Sequence, residues 1–204
     1  MTAPTLSRTV TLLFGKSQSG KSTLLDDLLY EHNRVIIWDF KNALGATLRT
    51  NDLRKLMYYC KDNPFFRVVV SDPSLFPSLC TVVSTMKNVV FAIDEIQLVV
   101  MGRKSLLDAL SQILFVGTQN KISLYISTQR PSRLHVDIRS QWTRALFFNQ
   151  TEPADLQWIK DISTGKVAED VKALKFREYV DINFDGAVTR GVTPIPKKRK
   201  KGGT

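Results

Sequence analysis

Cysteine is scarce in this chain: two in 204 residues, Cys60 and Cys80. They lack the close paired spacing of zinc ligands, and so few exclude a disulfide scaffold. Both are expected as reduced thiols in the core or in helices. Histidine is equally scarce, and His32 and His135 stand far apart, which leaves no zinc site to build. No apolar run approaches the ~20 residues that cross a bilayer. No long apolar stretch precedes Gly15, so a signal peptide is not expected. Internal repeats are missing, which argues against solenoids. Acidic residues are in deficit, 19 against 29 Lys and Arg, for a net charge of +10. What remains is an ordinary hydrophobic fraction of 43% in a chain long enough for a full core. One domain is expected over residues 1–193, followed by a basic tail over 194–204.

The most informative stretch is Gly15-Lys16-Ser17-Gln18-Ser19-Gly20-Lys21-Ser22-Thr23. It fits the phosphate-loop pattern G-x-x-x-x-G-K-[ST]. Val10-Thr11-Leu12-Leu13-Phe14 before it reads as a buried strand, and Leu24 to Tyr30 after it carries helical spacing. Strand, glycine loop and helix form the context that gives the pattern meaning. Successive backbone N–H groups of such a loop wrap phosphates, and the helix directs its positive end at them. Gly15 and Gly20 permit dihedrals that a Cβ disfavours. Lys21 is expected at the β- and γ-phosphates of ATP, and the Ser22 hydroxyl on Mg²⁺.

A second signal is Val89-Val90-Phe91-Ala92-Ile93-Asp94-Glu95. Five consecutive apolar residues suit a parallel strand buried on both faces. Asp94 then emerges at the carboxyl edge of the sheet, placed to hold Mg²⁺. Glu95, next to it, is placed to orient and deprotonate water, which equips the site for hydrolysis. The competing reading of Asp94 is a helix cap.

The rest alternates strand and helix. Strands are expected at Thr9–Phe14, Arg34–Asp39, Phe65–Val70, Val89–Ile93, Ile122–Ser127 and Ala145–Asn149. Helices are expected from the phosphate loop to His32, and at Asp52–Lys61, Pro73–Met86, Lys104–Phe115, Pro153–Ile162 and Lys166–Leu174. Phe176–Ile182 and Ala187–Gly191 flank Asp185-Gly186, a hairpin signal. The pattern predicts an α/β fold, a mostly parallel sheet with helices on both faces and a small antiparallel addition at one edge.

The third informative place is Ser127-Thr128-Gln129-Arg130-Pro131-Ser132-Arg133, where a buried strand ends in polar groups. If that strand lies between the first and fourth, Gln129 comes near the γ-phosphate, to position water or sense the phosphate. Arg130 or Arg133 then has a route to the nucleotide of a neighbouring subunit, where an arginine stabilises the charge of phosphoryl transfer. The plainer alternative is a surface arginine at a turn.

These three motifs, in this order, resemble those of the HerA–FtsK superfamily of DNA-translocating ATPases. Within it the chain is similar to the small genome-packaging ATPases of membrane-containing icosahedral viruses and phages. The resemblance covers roughly Thr9–Asn149. It implies a three-layer, RecA-like P-loop NTPase fold and the nucleotide-site roles given above for Lys21, Ser22, Asp94, Glu95 and Gln129. It also implies ATP and Mg²⁺ as cofactors, a ring, expected as a hexamer, and double-stranded DNA and capsid vertex proteins as partners. The location implied is the interior of the host cell during assembly, or the packaging vertex of the virion. Lys16 matches the extra lysine of deviant phosphate loops, but Ser17 and Gln18 stand where two glycines follow in that pattern.

Two other classes share parts of this pattern. A small-molecule kinase shares the loop and the size but more usually lacks the Asp-Glu ending, and the basic stretch Lys172-Ala173-Leu174-Lys175-Phe176-Arg177 could be misread as its lid. An assembly or export ATPase of the zonula-occludens-toxin type carries similar motifs together with a membrane segment. Lys197-Lys198-Arg199-Lys200-Lys201 supplies half of the net +10 and leaves +5 for the rest. Such a run, expected to be disordered, suits contact with a phosphate backbone, nuclear import or simple solvation.

Overall fold

The computed structural model describes residues 8–100 and 108–195. The chain begins with β1 (Val10–Phe14), α1 (Lys21–Leu29), β2 (Arg34–Trp38) and the two-residue β3 (Leu48–Arg49). It continues with α2 (Leu53–Asp62), β4 (Phe66–Val70), α3 (Phe76–Ser84), β5 (Val89–Ile93) and α4 (Gln97–Val100). After 101–107 come α5 (Asp108–Val116), β6 (Ile122–Thr128), α6 (Val136–Ser140) and β7 (Arg144–Phe147). The last elements are α7 (Pro153–Ile162), α8 (Gly165–Lys172), β8 (Glu178–Asn183) and β9 (Val188–Val192). None of the described helices is long and apolar enough to cross a membrane.

The nine strands of the described residues form one sheet in the order β3-β4-β2-β5-β6-β1-β7-β8-β9. Every pairing from β3 to β7 is parallel, and β8 and β9 are added antiparallel. The strand that leads into the third motif, β6, does lie between β1 and β5, so the condition set on Gln129 is met at the level of topology. Gly186 turns the β8–β9 hairpin at φ 87, while the Asp185 carboxylate accepts the Ala187 N–H at 3.0 Å.

The apolar runs of the central strands are buried on both faces because side chains alternate along a strand. Leu12, Phe14, Ile36, Trp38, Phe91 and Ile93 point to the face covered by α2, α3, α5, α7 and α8. Leu13, Val35, Ile37, Ala92 and Tyr125 point to the other, where Leu24, Leu25 and Leu29 of α1 cover them. Aromatic rings fill the thicker layer. Trp38 meets Phe76 edge-on at 5.2 Å, and Phe14 stacks on Phe147 at 5.1 Å. Cys60 and Cys80 are buried unpaired thiols, and burial pushes them up to about 11 and about 12.

Three elements lie outside the sequence expectation: β3, α4 and α6. Each is five residues or fewer, too short to show a period. β3 pairs with β4 at the sheet edge, led in by Thr47, whose N–H bonds the Arg67 carbonyl at 2.8 Å. The helix expected from Pro73 starts instead as a 3₁₀ turn, Pro73–Leu75, under an Asp72 cap. The beginning of the helix expected from Lys104 lies outside the described residues, as do Lys197–Lys201 of the tail.

Candidate nucleotide site

The carboxyl ends of β1, β5 and β6 are neighbours, so whatever follows them in sequence converges. β1 delivers the loop Gly15–Gly20. Gly15 is confined: a Cβ there lies 2.5 Å from Ser19 Oγ and 2.9 Å from Phe148 Cβ. Gly20 adopts φ 100, and a Cβ there lies 3.1 Å from Thr193 Oγ1. Gly20 also caps α1 without a side-chain bond, which leaves the first amides of that helix to an anion. Lys16, Ser17 and Gln18 are exposed on the loop, while Ser19, Ser22 and Thr23 are half-buried.

Lys21 is buried, 3% exposed, and meets both carboxylates. Its Nζ lies 3.0 Å from Glu95 Oε1 and 4.0 Å from Asp94 Oδ1. The Ser22 hydroxyl donates to Asp94 Oδ2 at 3.1 Å. Asp94 therefore does not cap a helix with its side chain; it faces the phosphate loop. Ser127, at the end of β6, binds the two acids together. Its hydroxyl donates to Asp94 Oδ1 and accepts the Glu95 N–H at 2.9 Å.

Glu95 has φ 56, a left-handed backbone that costs about 1–3 kcal/mol in a residue with a Cβ. The bond from Ser127 and that from the Ile96 N–H to the Ser127 carbonyl at 3.0 Å hold it there. Burial pushes the Glu95 carboxyl up, but Lys21, aided by hydrogen bonds from Gln97, Lys21 and Lys41, outweighs burial and holds it below the usual range.

Sequence reasoning missed the contribution of β2. Asp39 and Lys41 follow it, and Lys41 Nζ lies 3.2 Å from Glu95 Oε1. Asp39 is fully buried. Its Oδ2 accepts the Leu44 N–H at 2.7 Å, while Oδ1 has no hydrogen-bond partner. Burial raises the Asp39 carboxyl against the pull of the Leu44 N–H, and the Asp94 charge adds to the rise. The signal was present: a buried apolar strand ending in charged residues, the same feature that marked β5. Ser127 was likewise inside a motif but given no role. The Ser22 hydroxyl and the Asp94 carboxylate, 3.1 Å apart, are oxygen donors of the kind that fit a magnesium ion and its waters.

The remaining candidates lie further out. Gln129 is exposed, and its carbonyl accepts from the Gln150 amide at 3.2 Å. Arg130 bonds the buried Asp155 carboxylate at 3.0 Å and Glu152 at 3.4 Å. Arg133 ends a short 3₁₀ turn and is exposed. Lys16 Nζ bonds the Thr151 hydroxyl at 3.1 Å, on the side of the loop away from the carboxylates. The basic stretch ending at Phe176 and Arg177, set aside as a lid of kinase type, does reach the loop. Both residues border the same cavity of about 280 Å³ as Lys21, Lys41 and Glu95.

A sheet that places a glycine loop and helix on its central strand, opposite an acidic strand end, is the fold of the P-loop NTPases. The solved structures bear this out. The genome packaging NTPase B204 from Sulfolobus turreted icosahedral virus 2, in complex with AMPPCP, superposes with a TM-score of 0.75 at 23% identity, covering 94% of this chain and 100% of that one. Its complex with sulfate gives 0.78 at 21% identity, over 95% and 100%. The N-terminal domain of zonular occludens toxin from Neisseria meningitidis gives 0.54 at 13% identity, over 95% and 97%. No protein-family model and no curated protein matches the sequence.

Proposed function

We propose that the protein is an ATP-hydrolysing motor that drives double-stranded DNA into a preformed viral capsid. The observation that carries this reading is the convergence of Lys21 and Ser22 with Asp94 and Glu95 at three adjacent strand ends. The loop amides and Lys21 bind the β- and γ-phosphates. Ser22 and Asp94 would hold Mg²⁺, which supplies charge neutralisation of the phosphates when bound. Glu95 accepts the proton of the attacking water. Lys21 cannot serve phosphate and Glu95 equally, so nucleotide binding draws it off Oε1 and leaves Lys41 there. Gln129 follows the intervening strand and is the candidate to sense the γ-phosphate once nucleotide is bound. The likeness to a genome packaging NTPase supports the motor role, and so does the basic charge.

Steady-state ATP hydrolysis with and without linear double-stranded DNA tests it. Strong stimulation by DNA is expected. Hydrolysis indifferent to DNA, or a requirement for a nucleoside acceptor, sinks the motor reading. The alternative export ATPase of the zonula-occludens-toxin type keeps the hydrolysis but has no use for duplex DNA.

A packaging motor grips phosphates without reading bases, because it must pass every sequence. Binding of one duplex is therefore expected to fall steeply with salt, each phosphate contact adding about 0.9 to the log–log slope. Deleting 197–201 is expected to reduce that slope and leave basal hydrolysis intact. An unchanged slope removes the tail from the DNA surface.

Assembly as a ring, expected as a hexamer at a capsid vertex within the host cell, puts an arginine of one subunit at the site of the next. Arg130 must leave Asp155 to serve, whereas Arg133 starts at the surface. Mixing an Arg133→Ala variant with a Glu95→Gln variant is expected to recover part of the activity that each lacks alone. Full activity of both Arg130→Ala and Arg133→Ala by themselves excludes either as the trans arginine.

A further inference from the structure

We propose that the cavity on the far side of the phosphate loop is the nucleobase subsite, and that Phe176 holds the base by stacking without reading its edge. The inference rests on the nucleotide reading above and extends it to substrate selectivity. The γ end of a triphosphate is fixed by Lys21, Asp94 and Glu95, on the β5 and β6 side of β1. A nucleotide lying along the loop must then project its sugar and base toward β7 and β8. A second cavity, of about 470 Å³, opens there. It shares Phe176 and the loop residues Lys16, Ser17 and Gln18 with the phosphate cavity, and adds Phe148 and Leu174 to its walls. It has the size of a small-molecule site, with three apolar side chains, Phe148, Leu174 and Phe176, set among polar loop and turn residues, and joins the anion loop on one side.

Phe176 is the feature that calls for an occupant. It is 75% exposed, yet the turn that carries it, between α8 and β8, is tied down on each side. The Asn149 amide donates to the Lys172 carbonyl at 2.7 Å and to the Leu174 carbonyl at 3.3 Å. The Lys175 N–H donates to Glu178 Oε2 at 2.8 Å. Arg177 has φ 69, its carbonyl accepts the Thr193 N–H at 2.8 Å, and its guanidinium bonds the Pro194 carbonyl. A restrained backbone thus presents an aromatic ring at the mouth shared by both cavities. Three polar groups beside the ring are already engaged: the Asn149 amide N–H and Arg177 with carbonyls, and Lys16 with Thr151. Stacking tolerates any base because every base has a π-face. ATP and GTP are therefore expected to bind within about fivefold of each other, less than the spread a hydrogen-bonded base site produces.

The test compares ATP, GTP and inorganic tripolyphosphate on the full chain and on Phe176→Ala. The exposed ring can be removed without opening the core. Phe176→Ala is expected to weaken ATP and GTP alike, by about 5- to 100-fold, the usual range for one lost stacking contact. Tripolyphosphate, which has no base, keeps its affinity, and Phe176→Trp restores nucleotide binding. Unchanged ATP affinity in Phe176→Ala overturns the proposal. So does an equal loss for tripolyphosphate, which assigns Phe176 to the shape of the loop. A wild-type chain that discriminates ATP from GTP by 100-fold or more overturns the stacking-only mode. If the wild-type chain binds neither tripolyphosphate nor ATP, the nucleotide reading itself fails, and the subsite with it.

Discussion

Glu95→Gln is expected to bind Mg-ATP as well as the wild type and to hydrolyse it at least about 10²-fold more slowly, the scale of a lost general base. The amide keeps the shape of the side chain and its reach toward Lys41 and Gln97, but it cannot take a proton from water. Removing the negative charge also releases Lys21, which lies 3.0 Å from Glu95 Oε1, so nucleotide affinity is expected to hold or rise. Asp94 and Ser22 are untouched, and the variant should trap bound nucleotide. Nucleotide affinity and single-turnover hydrolysis, measured together, separate the two effects. Hydrolysis near the wild-type rate removes Glu95 from the chemistry.

Lys21→Ala is expected to abolish turnover and, unlike Glu95→Gln, to unsettle the empty protein. Lys21 is the buried cation between two buried carboxylates, Asp94 and Glu95, which are 1% and 2% exposed. Removing one partner of a buried pair leaves uncompensated charge, at a cost of about 3–5 kcal/mol. The effect depends on pH. In the wild type the Glu95 carboxyl sits below its usual range, so it adds stability above its unfolded pKa and loses it as pH falls through the lower folded value. Without Lys21, burial, the largest influence on Glu95, meets less opposition, and protonation relieves the site instead of damaging it. The melting temperatures of wild type and variant are therefore expected to differ most at neutral pH and to approach each other toward pH 4. A gap that is constant or widens in acid shows that Lys21 does not stabilise the fold through these carboxylates.

Much of this site was legible in the sequence because each strand that forms it is a run of buried apolar residues ending abruptly in polar ones. That transition located the phosphate loop after Phe14, the acids after Ile93 and the polar loop after Ile126. It was equally visible after Trp38, but Asp39 and Lys41 belong to no spaced pattern, and only the sheet order brings β2 beside β5. Ser127 escaped for a different reason: serine at a strand end is unremarkable until its hydroxyl is seen between Asp94 and the Glu95 N–H. The cavity under Phe176 depends on Ser17, Asn149 and Leu174, which lie far apart in the chain. No local period reports such a meeting. The elements missed, β3, α4 and α6, are short pieces fixed by tertiary contacts and not by propensity.

The strand order also governs when the site can exist. β1 does not pair with β2; its neighbours are β6 and β7, whose residues lie more than a hundred positions downstream. During synthesis the phosphate loop is made well before β6, so its own strand remains without either sheet partner until β6 emerges. β2, β4 and β5 can pair with one another before then, and β6 joins their edge before or together with β1. The first strand is thus among the late ones to dock, a pairing of high contact order that is intrinsically slow. A nascent chain stalled before residue 122 holds the loop, the acids and Lys41, but lacks the strand that joins β1 to β5 and brings Lys21 to Glu95. Lys21 and Glu95 can therefore meet only once β6 has been made and has docked between their strands.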